Sequence, residues 1–90
     1  MALALRPTVL MTETEYGVAL LDQRSGDYWT LNPTAACVLR CLIQGSGTDG
    51  AVLALTGEYD VTAEAAEEDV DRIVDELRSA RLVRAEGEDA

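Results

Sequence analysis

Asp27-Tyr28-Trp29-Thr30-Leu31-Asn32-Pro33-Thr34-Ala35-Ala36 reads as a strand that runs straight into a helix. Tyr28, Trp29, Thr30 and Leu31 are aromatic, β-branched or bulky residues that suit a pleated surface. Pro33 then fits the first helical position, where the missing N–H is not needed and the ring presets the helical φ. That leaves Asn32 as the N-cap, with its side-chain oxygen free to accept from a first-turn amide.

Upstream of this segment the chain reads as strands. Thr8–Thr12 alternates, with Val9 and Met11 on one face and Leu10 on the other, and Glu13-Thr14-Glu15 serves as the connection. Tyr16–Leu21 is a second run, with Tyr16, Val18 and Leu20 alternating against Gly17, Ala19 and Leu21. Asp22-Gln23-Arg24-Ser25-Gly26 is a turn cluster. Asp27–Leu31 is then the third strand, and the short connections predict a three-stranded antiparallel meander.

Downstream the periodicity changes to that of helices. Ala35, Val38, Leu39, Leu42 and Ile43 place an apolar face on a helix over Pro33–Gln44, with Gly45 as its stop. A second helix, capped by Thr48 or Asp49, carries Val52, Leu53 and Leu55 and ends near Thr56-Gly57. Glu58-Tyr59-Asp60-Val61 is a connector and Thr62 an N-cap. The third helix, Ala63–Ala80, has an apolar stripe of Val70, Ile73, Val74 and Leu77. Its acids crowd the N-terminal half, and Arg78 and Arg81 lie near the C-terminal end, both in the favourable sense of the helix dipole. Leu82-Val83-Arg84 is a short strand. The expected fold is one α+β domain over residues 1–85, winged helix-turn-helix-like, with a three-stranded antiparallel sheet followed by three helices. Residues 86–90 form an acidic tail.

Charge restricts the partners. The 90 residues carry 17 acids against seven basic residues, all arginine, for a net charge of −10. Glu58 to Glu76 holds nine acids and one base, Arg72. A winged helix that docked this segment into a DNA groove would be repelled by the phosphates, so nucleic acid is not the expected partner. An anionic membrane surface suits the chain no better. The apolar start Met1–Leu5 is too short to span a bilayer or to serve as a signal peptide, being broken by Arg6-Pro7, and a cytoplasmic setting is expected.

Chemistry is poorly represented. Histidine is absent, which removes the usual general base and activator of nucleophiles. Cys37 and Cys41 share a helix face at i, i+4, a spacing poorly suited to a disulfide and too few ligands for a zinc site. Gly45–Gly50 lacks the lysine and hydroxyl ending of a phosphate loop. No enzymatic activity, cofactor or metal is expected, and a binding module is the default.

Three features resemble the PqqD-like proteins: the run Tyr28–Ala36, the spacing from it to Gly45 and a second short helix, and the ending Leu77-Arg78-Ser79-Ala80-Arg81-Leu82-Val83, in which the family often has glycine where Arg81 stands. The resemblance implies a RiPP recognition element, a domain that binds the leader of a ribosomally made precursor peptide. A separate acidic chain of this size is most similar to the leader-binding protein of lasso peptide pathways. PqqD proper, from cofactor biosynthesis, is less similar. The implied partners are the precursor leader peptide, a leader peptidase of cysteine-protease type and a lasso cyclase. Leaders of that kind carry a Tyr and a Pro for the groove.

The expected mode is strand addition to an exposed edge at Asp27–Leu31, with leader side chains entering a groove against the third helix. The candidate residues are Tyr28, Trp29, Thr30 and Leu31 from the strand, and Asp69, Val70, Ile73, Val74 and Leu77 from the helix. Leu31 is expected in the core and Trp29 at the groove margin. Val70, Val74 and Leu77 are the helix residues expected nearest the strand edge, although a stripe at this spacing is first of all core. Asp69 and Asp75 are placed to meet basic leader residues. The acidic third helix and the Gly45–Gly50 loop are candidate surfaces for the peptidase. The competing readings are a winged-helix transcription regulator, a protein adaptor without leader binding, and a structural subunit whose edge is covered by a fixed enzyme partner.

Overall fold

The computed structural model of the protein describes residues 3–85. Eight elements follow in order: β1 (Leu3–Leu5), β2 (Val9–Thr14), β3 (Gly17–Asp22), β4 (Tyr28–Leu31), α1 (Pro33–Ile43), α2 (Gly47–Glu58), α3 (Ala63–Ser79) and β5 (Val83–Ala85). Strands β2, β3 and β4 form the expected antiparallel meander, in that spatial order. Three helices follow, and α1 packs on both α2 and the inner face of β3. The fold is α+β, as the order of patterns implied. No helix among the described residues is long and apolar enough to cross a membrane.

The first hairpin is tighter than expected. Glu13 and Thr14 do not form a connection but continue the ladder, opposite Val18 and Gly17. Only Glu15 and Tyr16 remain as the turn, with the Tyr16 N–H donating to Thr14 Oγ1 at 3.2 Å. The reason is Gly17. Its φ of 150° is open to glycine and strained for other residues, and it lets the strand start immediately after the turn. Tyr16 therefore leaves the strand and is 78% exposed.

A second departure concerns the start of the chain. Leu3–Leu5 pairs antiparallel with β5, Leu3 opposite Ala85 and Leu5 opposite Val83, as a separate two-stranded sheet. Three apolar residues carry no readable period, and their partner lies at the far end of the sequence, so local pattern could not reveal the pairing. The expected strand at Leu82–Arg84 is shifted by one residue to Val83–Ala85. The tail from Glu86 onward lies outside the described residues.

The caps explain the helix boundaries. Asn32 Oδ1 accepts from the Ala35 N–H at 2.9 Å, and Thr62 Oγ1 accepts from the Ala65 N–H at 3.1 Å, both as their residue types dictate. Helix α2 begins earlier than expected. Its N-cap is Ser46, which makes no side-chain cap bond, and Thr48 and Asp49 sit inside the first turn, where Asp49 meets the positive end of the dipole. Helices α1 and α3 end in the same way. At α1 the Gly45 N–H bonds to the Leu42 carbonyl and the Ser46 N–H to that of Cys41; at α3 the Arg81 N–H bonds to Arg78 and the Leu82 N–H to Leu77. This cap requires a left-handed residue after the helix. Gly45 meets it with φ 89°, whereas Arg81 meets it with φ 60°. The turn that glycine would have made is thus intact, with arginine in its place.

The core gathers the apolar faces of all these elements. Val18 and Leu20 point inward from β3, Val38, Leu39 and Leu42 from α1, Leu55 from α2, and Val70 and Leu77 from α3, all essentially without solvent contact. Glu13 on β2 and Arg40 on α1 tie the sheet to the first helix through a two-pronged ion pair, with Arg40 Nε donating to Glu13 Oε2 at 3.2 Å and Nη2 to Oε1. That guanidinium holds the Glu13 carboxyl below its usual range. Burial pushes the Cys37 thiol up, with Cys41 beside it acting in the same sense, so Cys37 is a poor nucleophile.

Candidate functional site

Strand β4 pairs with β3 on one side and with no described strand on the other. The register sets Leu20 against Trp29 and Leu21 against Tyr28, and the Asp22 N–H bonds to the Asp27 carbonyl at 2.9 Å. Antiparallel ladders alternate bonded and non-bonded pairs. Asp27, Trp29 and Leu31 therefore turn their backbone groups toward β3. Tyr28 and Thr30 turn an N–H and a C=O each toward the open edge.

Side chains alternate out of phase with this. Trp29 and Leu31 face the helices, while the Tyr28 and Thr30 side chains belong to the opposite face. Beside the open edge lies a cleft of about 460 Å3 lined by Trp29, Thr30, Leu31, Ala35, Ile73, Glu76, Leu77, Ser79, Ala80 and Leu82. Its lining is mostly apolar. Trp29 is 40% exposed, at the margin, and Leu31 is half-buried against the core. Beyond Leu31 the cleft continues past Asn32, Thr34 and Arg72. There Arg72 is engaged by Asp69 at 3.5 Å and by Glu76 at 3.3 Å.

Of the apolar helix residues expected at the groove, two line the cleft. Ile73 and Leu77 form the floor of the cleft. Val70 is wholly inside the core, Val74 is half-buried against it, and neither lines the cleft. Asp69 does not line it either; its carboxylate is turned to Arg72. Asp75 is an exposed position of α3 outside the lining. The α3 residues that line the cleft are Ile73, Glu76, Leu77 and Ser79, followed by the C-cap Ala80; Ile73, Glu76, Leu77 and Ala80 are spaced i, i+3, i+4 and i+7. Glu76 and Ala80 were missed because neither belongs to the apolar stripe. Extending the helical arithmetic from Ile73 would have found them. Ala35 and Leu82 come from other elements and carry no such signal.

The site thus joins two N–H groups and two carbonyls, turned away from β3 and facing no described strand, to an apolar trough with one aromatic wall. Such an arrangement accommodates an extended backbone and its alternate side chains.

The family described as coenzyme PQQ synthesis protein D (PqqD) matches residues 17–83, most of the chain. The chain belongs to the PqqD family. Among solved structures, this PqqD-like chain is similar to "Lasso peptide synthetase B1 complexed with the leader peptide", with 37% identity, a TM-score of 0.88, and coverage of 93% of this chain and 99% of that one. It is also similar to "TbiB1 in Complex with the TbiA(beta) Leader Peptide", with a TM-score of 0.82 over 97% of this chain and 99% of that one. At 23% identity the second likeness is one of fold. No curated protein matches the chain. The PqqD match begins at Gly17 and ends at Val83, so it contains β3, β4, the three helices and the whole lining of the cleft.

Proposed function

We propose that this protein binds the leader segment of a ribosomally synthesised precursor peptide by strand addition to β4. The leader lies in the cleft against α3. Its backbone completes the ladder at Tyr28 and Thr30, and its alternate side chains enter between Trp29, Leu31, Ile73 and Leu77. The observation that carries this reading is the coincidence of an open strand edge, its donors and acceptors turned outward, with an apolar trough along the same edge. Backbone bonds to a strand edge bring affinity with little dependence on sequence, and pockets for every second side chain bring selectivity. The relative complexed with a leader peptide supports the choice of occupant.

The protein acts in this reading as a carrier and not as a catalyst. It presents the bound leader to a cysteine-type leader peptidase and an ATP-dependent lasso cyclase in the cytoplasm. The outer face of the meander, where Leu10, Leu21 and Tyr28 stand in register and exposed, stays open for such a partner while the cleft is filled.

A titration with a synthetic leader of the cognate precursor, followed by Trp29 fluorescence and by calorimetry, tests the proposal. Saturable binding in the micromolar range or tighter, largely retained in high salt, is the expected result. Absence of heat and of a spectral change would overturn it.

A further inference from the structure

Seven arginines face 17 acids in this chain, so a guanidinium without a carboxylate is unexpected. Arg40 is engaged by Glu13, and Arg72 by Asp69 and Glu76. The guanidiniums of Arg6, Arg24 and Arg81 have no ion pair and no hydrogen bond among the described residues. These three line one cleft of about 430 Å3, together with Pro7, Thr8, Asp22 and Ser25. They arrive from the β1–β2 connection, the β3–β4 turn and the α3–β5 turn. Asp22, the single acid of the lining, is committed to the turn: its Oδ1 accepts the Arg24 N–H at 2.9 Å.

A second observation concerns Arg81. Its φ of 60° lies in the left-handed region, which disfavours a side chain such as arginine's. Glycine would relieve that strain, as it does at the matching position after α1. Strain retained at such a point suggests a use for the side chain. The third observation is position. Arg81 stands between Ala80 and Leu82, which both line the peptide cleft, and Arg24 lies in the turn that leads into β4. The Arg6 N–H donates to the carbonyl of Leu82, a residue of the trough, at 3.0 Å, and Asp22 of the arginine cleft bonds across the ladder to Asp27, next to Tyr28, so the arginine cleft lies toward the Tyr28 end of the trough.

We propose that Arg6, Arg24 and Arg81 form a carboxylate subsite for the flank of the bound peptide that emerges past Tyr28. It rests on the leader-binding reading above. Asp or Glu side chains just beyond the strand-forming segment would sit on these guanidiniums, whose planar donor forks match a carboxylate. The subsite would set register. Backbone pairing along an edge is tolerant of slippage, whereas a charge anchored at one end decides which residues enter the trough. The surrounding acidic surface repels the same flank elsewhere, and screening at about 10 Å in 0.1 M salt confines the attraction to the cleft.

The test uses leader peptides that carry Glu-Asp-Glu or Gln-Asn-Gln immediately beyond one or the other end of the cleft-binding segment. Calorimetry on the intact protein should show about tenfold tighter binding for the acidic flank at one end only, and the gain should shrink with added salt. The gain should disappear in Arg24→Gln and in Arg81→Gly. The glycine variant is expected to fold more stably than the parent, so its loss would not reflect unfolding. Equal affinity for acidic and amide flanks at both ends would overturn the subsite and leave leader binding intact, as would an undiminished gain in the two variants. Failure of every peptide to bind the parent protein would overturn the leader-binding reading and the subsite with it.

Discussion

At Gly17 a β-carbon would stand 2.1 Å from the Leu31 carbonyl oxygen, on a backbone with φ 150°. Strain and collision act together there, so Gly17→Ala is expected to destabilise the fold by about 2 kcal/mol or more, read from urea denaturation. Since the displaced oxygen belongs to β4, peptide affinity should fall as well. Arg81 is the converse case, a side chain where glycine would relax the turn. Arg81→Gly is expected to raise stability by about 1 kcal/mol, measured in the same way. At Trp29, 40% exposed, truncation removes little core. Trp29→Ala should leave the denaturation midpoint nearly unchanged while peptide binding weakens by about tenfold or more, as for an aromatic anchor. The identities of Gly17 and Trp29 are plain in the sequence, but neither a φ angle nor a neighbouring carbonyl is.

The edge of β4 and its tie to the helices belong to the scale of elements. The Thr30 N–H points away from β3, so Thr30→Pro removes a donor to the incoming strand without breaking the meander. Calorimetry should find leader affinity reduced about five- to tenfold, the equivalent of one net hydrogen bond, with the thermal transition preserved. Leu31→Pro, one residue on, removes a ladder bond to β3 and should destabilise the fold instead. The pairing of β2 with α1 through Glu13 and Arg40 is pH-dependent in a stated sense. Because the folded carboxyl lies below its ordinary value, the contribution is present above the usual carboxylate range and is lost as pH falls through the folded value. Glu13→Gln should therefore be less stable than the parent near neutrality, and the two should converge in acid, which melts across a pH series would show. The existence of β4, α1 and α3 was legible from spacing and caps. The phase of the outward amides was not, because it depends on how the β3–β4 turn closes. The helix face at the cleft was legible only in part, at Ile73 and Leu77, because an apolar stripe says which side is buried and not which neighbour it meets.

For the molecule as a whole, the ribbon of β1 and β5 brings the two ends of the described chain together and places Leu3, Leu82 and Val83 in the core. Leu3→Asp would put a charge where Leu3 is 6% exposed. It should destabilise the fold by about 2–3 kcal/mol, a loss visible as a lower denaturation midpoint with an unchanged limiting helix signal in the folded state. Net charge is decisive at this scale, since −10 and an acidic α3 set the chain against a phosphate backbone. The sequence by itself determined the α+β order, the strand-to-helix junction at Asn32-Pro33, the caps at Thr62 and Gly45 and the apolar stripe of α3. Each of these is written in residues within about a turn of one another, where propensity and capping act. Tertiary structure alone decided that Leu3–Leu5 is a strand, that Val70 and Val74 lie outside the cleft that Ile73 and Leu77 line, and that three arginines meet in one cleft. Those outcomes depend on which distant elements pack together, and packing is a property of the closed chain rather than of any segment of it.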